Sequence, residues 1–324
     1  MRIDCQSHVF PRAYSAILAQ NPQPPQIIQT GSGSFITYGD GSKLPFEEER
    51  YDPELKIRDM DSAGIDISVI TVNIPGPCML IPELALKGAR AINDSMAELM
   101  QQYPGRFAGI AHLPWHDVAS SLNEMDRAQD ELGLCGVALF SNISGRPVDD
   151  PAFEPVYAKA EARGLPIVMH PTVPSWGETI KDYWMVPMMG FQVDSSFALL
   201  RLILGGVLER HPRLQVVMPH VGGILPFMIG RIDHETEVKG RGGEHITRPP
   251  SEYLRRVYLD TNAPSGEALR YAHEFSGAER LIFGSDHPWK DIKTYVDLVE
   301  GMSIPSKEKA LIFSGNAKTL FRLD

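Results

Sequence analysis

From Ile67 onward the chain repeats one pattern, in which a short apolar run rich in β-branched residues is followed by a longer stretch with helical spacing. The apolar runs are Ile67 to Val72, Phe107 to His112, Gly136 to Phe140, Pro166 to His170, Gln215 to His220, Val257 to Asp260 and Leu281 to Ser285. Pro82 to Tyr103, Val118 to Leu132, Pro151 to Arg163, Ser195 to His211, Pro226 to Glu237 and Ser265 to Phe275 read as the helices between them, and Pro53 to Ala63 as a helix stopped by Gly64. Arg2 to Pro11 supplies an eighth strand at the start. Strands that alternate with helices form right-handed crossovers and a parallel sheet, and eight of them favour a closed barrel over an open doubly wound sheet. The glycine fingerprint of a dinucleotide fold is missing after the first strand. The expected fold is therefore α/β, a single (β/α)8 TIM-type barrel domain over residues 1–324. Residues 13–49, rich in Pro, Gly, Gln and Ser, are expected to form an inserted loop with a hairpin strand at Gly33 to Tyr38.

In a parallel barrel the C-terminal strand ends meet at one mouth, where catalysis occurs. Successive side chains of a strand point to opposite faces, which predicts Asp4, Gln6 and His8 on one face of the first strand and Ile3, Cys5 and Ser7 on the other. The fifth strand ends in His170 before a proline, the sixth in His220 before Val-Gly-Gly, and the eighth in Asp286 and His287. Each polar residue follows an apolar run, so a barrel aims all of them at one small volume. Their types suit metal binding or proton transfer.

Short motifs in order along the chain carry a resemblance. They are Ile3-Asp4 through Pro11, Met60-Asp61-x-x-Gly64-Ile65-Asp66, Asp150-Pro151-x-Phe153-x-Pro155, Met169-His170-Pro171, His220-x-Gly222-Gly223, Gly230-Arg231-x-Asp233, Pro249-Pro250-Ser251-x-Tyr253, Gly284-Ser285-Asp286-x-Pro288 and Gly315-Asn316-Ala317. The ordered set resembles the amidohydrolase superfamily, within it the group typified by α-amino-β-carboxymuconate-ε-semialdehyde decarboxylase and related metal-dependent decarboxylases of benzoate type. The resemblance implies one divalent ion, zinc or manganese, held at Gln6, His8, His170 and Asp286, with no organic cofactor. Gln6 departs from the His or Glu of the family, and its amide oxygen is a neutral, weaker donor. The resemblance further implies that His220 moves protons beside the metal and that Arg231 clamps a substrate carboxylate from a neighbouring subunit. Trp184 matches a family tryptophan, and with Trp176, Phe191 and Trp289 it is expected in the strand-end loops that wall the pocket.

Composition narrows the partners. The chain has 41 acidic and 31 basic residues, a formal charge of −10 and no basic cluster, which argues against nucleic acid. No apolar run approaches the ~20 residues of a membrane span, and the start lacks a secretory signal pattern, so a cytoplasmic protein is expected. Cys5, Cys78 and Cys135 are odd in number and widely spaced, as reduced core residues would be. The apolar segment Ser195 to His211 suggests burial on the barrel and against a second subunit, giving a homodimer or higher homo-oligomer. The expected activity is non-oxidative decarboxylation of a small unsaturated or aromatic carboxylic acid, with His220 and Asp286 both open as proton donor. A hydrolase of a lactone or amide, with or without metal, and a degenerate subunit supporting an active homologue are the alternatives.

Overall fold

A computed structural model describes residues 1–323. Strand β1 (Ile3–Val9) is followed by a short helix, Arg12–Leu18, and by an antiparallel sheet of β2 (Gln26–Thr30), β3 (Gly33–Thr37) and β4 (Lys43–Pro45). The insertion is thus a three-stranded sheet, in which β3 falls on the hairpin strand expected at Gly33 to Tyr38 and β2 and β4 are added beside it. Its strands are short and mixed in polarity, and what orders them is aromatic packing onto the start of the chain. Ile36, Tyr38 and Phe46 are buried, and the Phe10 ring lies 4.9 Å from that of Phe46 and 5.4 Å from that of Tyr14.

The remaining strands are β5 (Ile67–Val72), β6 (Phe107–Gly109), β7 (Val137–Phe140), β8 (Ile167–His170), β9 (Val216–Met218), β10 (Tyr258–Asp260) and β11 (Leu281–Ile282), each followed by helix. With β1 they make eight parallel strands, in ladders β1-β5-β6 and β7-β8-β9-β10-β11. Backbone hydrogen bonds close both seams. On one side Cys135 N–H donates to Gly109 C=O at 2.9 Å and Ala138 N–H to Ala111 C=O at 2.8 Å; on the other, Cys5 N–H donates to Phe283 C=O at 2.8 Å and His8 N–H to His287 C=O at 2.7 Å. A ring of eight parallel strands results, and one buried cluster draws Ile3 and Cys5, Val69, Ala108, Ala138, Val168, Val217, Tyr258 and Ile282 from all of them into its lumen.

Two expectations are corrected. The even alternation along β1 fails, because its register against β5 shifts between Asp4 and Ser7. Ile3 and Cys5 face the lumen, while Asp4 is tied to Ser285, accepting from its N–H at 3.0 Å and its Oγ at 2.6 Å. The helix predicted over Ser195 to His211 runs instead over Phe191–Leu204, preceded by a π-turn at Val186–Gly190. It breaks at Gly206, whose φ of +75° is a left-handed conformation that glycine adopts without a Cβ penalty. Among the described residues no helix is long and apolar enough to cross a membrane.

Candidate active site

The barrel mouth brings His8, His170 and Asp286 together with one ligand-type atom from each lying within 4.8 Å of the others. His8, near the end of β1, places Nδ1 2.9 Å from Thr71 Oγ1 and Nε2 3.0 Å from Asp286 Oδ1. His170 ends β8, with its ring 4.7 Å from that of His8 and nearly perpendicular to it. Its Nδ1 is 2.6 Å from the Pro171 carbonyl, which can only accept, so Nδ1 carries the proton and Nε2 keeps a free lone pair. Burial pushes both imidazoles down to about 3, so they are neutral, as a metal ligand must be. Burial also raises the Asp286 carboxyl above its usual range. Asp286 occupies a left-handed conformation (φ +65°) held by its own N–H, which donates to Gln6 C=O at 2.7 Å. Gln6 is buried, and its Nε2 has no hydrogen-bond partner.

His220 belongs to a turn of four successive positive φ values, His220 (+57°), Val221 (+51°), Gly222 (+86°) and Gly223 (+61°). Strain of this kind persists only where surrounding structure enforces it. Here Asp260, at the end of β10, does so, its Oδ1 accepting from Val221 N–H at 3.3 Å and Asn262 N–H at 3.0 Å. Gly223 lies so close to the Phe191–Leu204 helix that a Cβ would come within 2.4 Å of Ser196 Oγ. His220 Nδ1 is buried without a partner, and burial pushes its imidazole down to about 4. Asp260 is pushed up to about 7 by burial, and its Oδ2 also lacks a partner.

Above these residues opens a cavity of about 790 Å³, lined by His170, His220, Asp286, Trp184, Phe191 and Trp289 among others. β4 of the insertion reaches it through Leu44 and Pro45. Trp176 lies elsewhere, beside a separate cleft with Asp194 and Arg201. Arg231 does not line the cavity; it is exposed on helix Leu225–Asp233 and has no ion-pair or hydrogen-bond partner among the described residues. The Lys or Arg that does line the cavity, alone among the described residues, is Lys290, two residues past the Gly284-Ser285-Asp286-x-Pro288 motif and absent from the residues expected there. Asp260 was equally legible, since Val257 to Asp260 is another apolar run ending in a carboxylate.

The sequence pattern of the amidohydrolase family matches residues 3–323. The chain belongs to the amidohydrolase family. Within it, the chain is 31% identical to the 2-amino-3-carboxymuconate-6-semialdehyde decarboxylase of Dictyostelium discoideum, over 85% of this chain and 77% of that one. The crystal structure of 5-carboxyvanillate decarboxylase from Sphingomonas paucimobilis superposes with a TM-score of 0.88 at 30% identity, covering 100% of this chain and 99% of that one. A dihydroxybenzoic acid decarboxylase from Polaromonas sp. JS666, with bound manganese and 2-nitroresorcinol, shares the fold with a TM-score of 0.84 at 24% identity, covering 99% and 97% of the two chains.

Replacing Asp260 by Ala strands the N–H of Val221, in the turn that aims His220, and the buried N–H of Asn262 after β10, at about 1 to 3 kcal/mol for a fully buried group. Asp260→Ala is expected to lower the denaturant midpoint and to cut turnover at least tenfold while bound metal stays at the wild-type level, measured by chemical denaturation, steady-state kinetics and elemental analysis.

Proposed function

We propose that this amidohydrolase is a metal-dependent, non-oxidative decarboxylase of small aromatic or unsaturated carboxylic acids, formed by one catalytic domain over residues 1–324. The observation that carries the reading is the convergence of two neutral imidazoles and one carboxylate beneath an aromatic-walled cavity. The decarboxylase activities named for the relatives agree with it.

The donor set fits a divalent ion. His170 Nε2 has its lone pair free, and His8 presents Nε2 to Asp286 once Nδ1–H donates to Thr71 Oγ1. Two nitrogens and a carboxylate suit zinc or manganese. Gln6 would be a weak fourth donor: its side chain is buried and its Nε2 has no hydrogen-bond partner, so turning the amide to present its neutral oxygen to an ion breaks no hydrogen bond of that nitrogen. A bound divalent ion would orient the substrate and stabilise the negative charge that develops as the carbon–carbon bond to CO₂ breaks.

The chain's own residues supply the rest. The carbon that loses CO₂ must take a proton, and His220 and Asp286 both line the cavity within reach of a bound substrate. His220 has the stronger claim, because Asp286 is one of the three proposed metal donors whereas His220 Nδ1 is free of protein partners; neutral itself, His220 would pass to carbon a proton that it takes from water or from a substrate hydroxyl. Trp184, Phe191 and Trp289 wall the space that a planar ring would occupy and exclude water from it. Lys290 is the cation that this chain brings to its own cavity for a substrate carboxylate or phenolate.

A second copy of the chain supplies another cation. Tyr183 is 84% exposed and Phe227 81%, with Met188, Met189, Trp184 and Val238 exposed beside them in sequence. Apolar residues so exposed mark an interaction surface. Arg231 shares the helix of Phe227, so covering this surface with a second copy would carry Arg231 toward a partner's cavity.

The activity test incubates the manganese-loaded protein with hydroxylated and aminated benzoates and with unsaturated amino-carboxylates. Carbon dioxide is expected in step with the loss of substrate, with activity lost on chelation and restored by metal. His220→Asn should lower turnover about 10²-fold with metal retained. Acid released from a lactone or amide without CO₂ would instead identify a hydrolase. For the second copy, His220→Asn and Arg231→Ala proteins are mixed under subunit exchange. A mixed dimer then has one site with both defects and one intact site, so up to half of a wild-type dimer's activity should return in it. No recovery despite exchange would remove Arg231 from the partner's site.

A further inference from the structure

Behind β1, on the side away from the lumen, helix Pro53–Ala63 buries the ammonium of Lys56, which is only 2% exposed. An ammonium has three protons and no acceptor, and here each proton meets one acceptor: Ser7 Oγ at 2.5 Å, His8 C=O at 3.1 Å and His287 Nδ1 at 3.0 Å. Because Lys56 can only donate, His287 Nδ1 must accept, and the imidazole proton sits on Nε2. That N–H donates to Asp59 Oδ2 at 2.9 Å, one helical turn from Lys56 on the same helix. The tautomer of His287 is therefore set from both sides, and a chain of hydrogen bonds runs from an exposed carboxylate through a buried imidazole and a buried ammonium to the backbone of His8.

The groups at its end are those that carry the proposed metal donors. His8 belongs to β1, and His287 is the neighbour of Asp286 in the segment after β11. The same segments are joined by His8 N–H to His287 C=O at 2.7 Å and Asp286 N–H to Gln6 C=O at 2.7 Å. Lys56 thus grips the carbonyl of one donor residue and the side chain beside the other, just where the rim seam closes. Its position is specific to the rim, since its three acceptors come only from residues 7, 8 and 287.

Resting on the metal-dependent reading above, we propose that Lys56, His287 and Asp59 form a positioning relay that fixes the spacing of His8 and Asp286 for a divalent cation. None of the three touches the substrate cavity. Without Lys56, three buried acceptors lose their donor and the two strand ends are free to part. Without Asp59, His287 loses the acceptor that keeps its proton on Nε2, and the competing tautomer would turn an N–H toward the Lys56 ammonium. Outer partners of metal ligands influence affinity by about 10- to 100-fold, which is the size of effect expected here.

The test reads metal affinity rather than turnover. Metal-free wild type, Lys56→Met, Asp59→Ala and Asp59→Asn are titrated with manganese alone, following free Mn²⁺ by electron paramagnetic resonance, and the melting temperature of each metal-free protein is measured in parallel. Asp59→Ala lies at the surface, so its metal-free melting temperature should stay close to wild type while its Kd for manganese rises about tenfold or more. Asp59→Asn, whose side-chain oxygen accepts the same bond, should restore wild-type affinity, which a general loss of stability would not explain. Lys56→Met should weaken binding further; if it does not fold, the Asp59 pair decides. Wild-type affinity in folded Asp59→Ala would overturn the relay while leaving the metal reading intact, and a wild type that binds no manganese would overturn both.

Discussion

Two hydrogen bonds at the barrel rim, from Asp286 N–H to Gln6 C=O and from His8 N–H to His287 C=O, join the first strand of the chain to its last barrel segment. Everything at the mouth depends on that closure. It brings residues 278 positions apart to a side-chain separation of 3.0 Å, and it holds Asp286 in a left-handed conformation that a non-glycine residue adopts only under constraint. Crowding in the lumen reinforces it: a Cβ on Gly284 would stand 2.7 Å from Gln6 Cβ and 3.2 Å from Asp260 Cβ, so only glycine lets the eighth strand approach this closely. The bulge in β1 follows from the same geometry, since the strand must pair with β5 on one side and meet the residues after β11 on the other.

Burial then sets the chemistry. Histidines as enclosed as His8, His170 and His220 stay neutral, which leaves lone pairs for a cation and a base for protons without competition from protonated imidazolium. The carboxyls of Asp260 and Asp286 are raised by the same loss of water. A divalent cation would offset that cost at Asp286, whereas Asp260 spends its Oδ1 on two backbone amides and so holds the turn of His220. Under the proposed function, donors gathered on one side and His220 on the other, under an aromatic roof, would make a site for moving charge onto carbon and then quenching it.

Much of this was legible in the chain. His170, His220 and Asp286 could be placed at the mouth because each ends an apolar run, and parallel strands in a barrel end together. The bulge was not, because alternation is a local rule and the register shift arises from pairing with segments far away in sequence. Lys56 escaped notice for a similar reason: on a helix of low apolarity a lysine reads as solvated, and only the fold reveals that its ammonium is enclosed by Ser7, His8 and His287. In the insertion the hairpin strand at Gly33 to Tyr38 is legible, whereas its neighbours β2 and β4 are not, because they depend on packing about the Phe10, Tyr14 and Phe46 cluster rather than on their own pattern. Asp260 obeys the rule that places the other strand-end residues, since Val257 to Asp260 is an apolar run that ends in a carboxylate.

The central claim is that the rim closure assembles a single cation site from His8, His170 and Asp286. The most direct measurement is an anomalous difference map from crystals of the manganese-loaded protein, collected at the manganese absorption edge. The account predicts one strong peak per chain, at about 2 to 2.3 Å from His8 Nε2, His170 Nε2 and an Asp286 carboxylate oxygen. An empty mouth in crystals soaked with excess manganese, or a peak held by other residues, would contradict it.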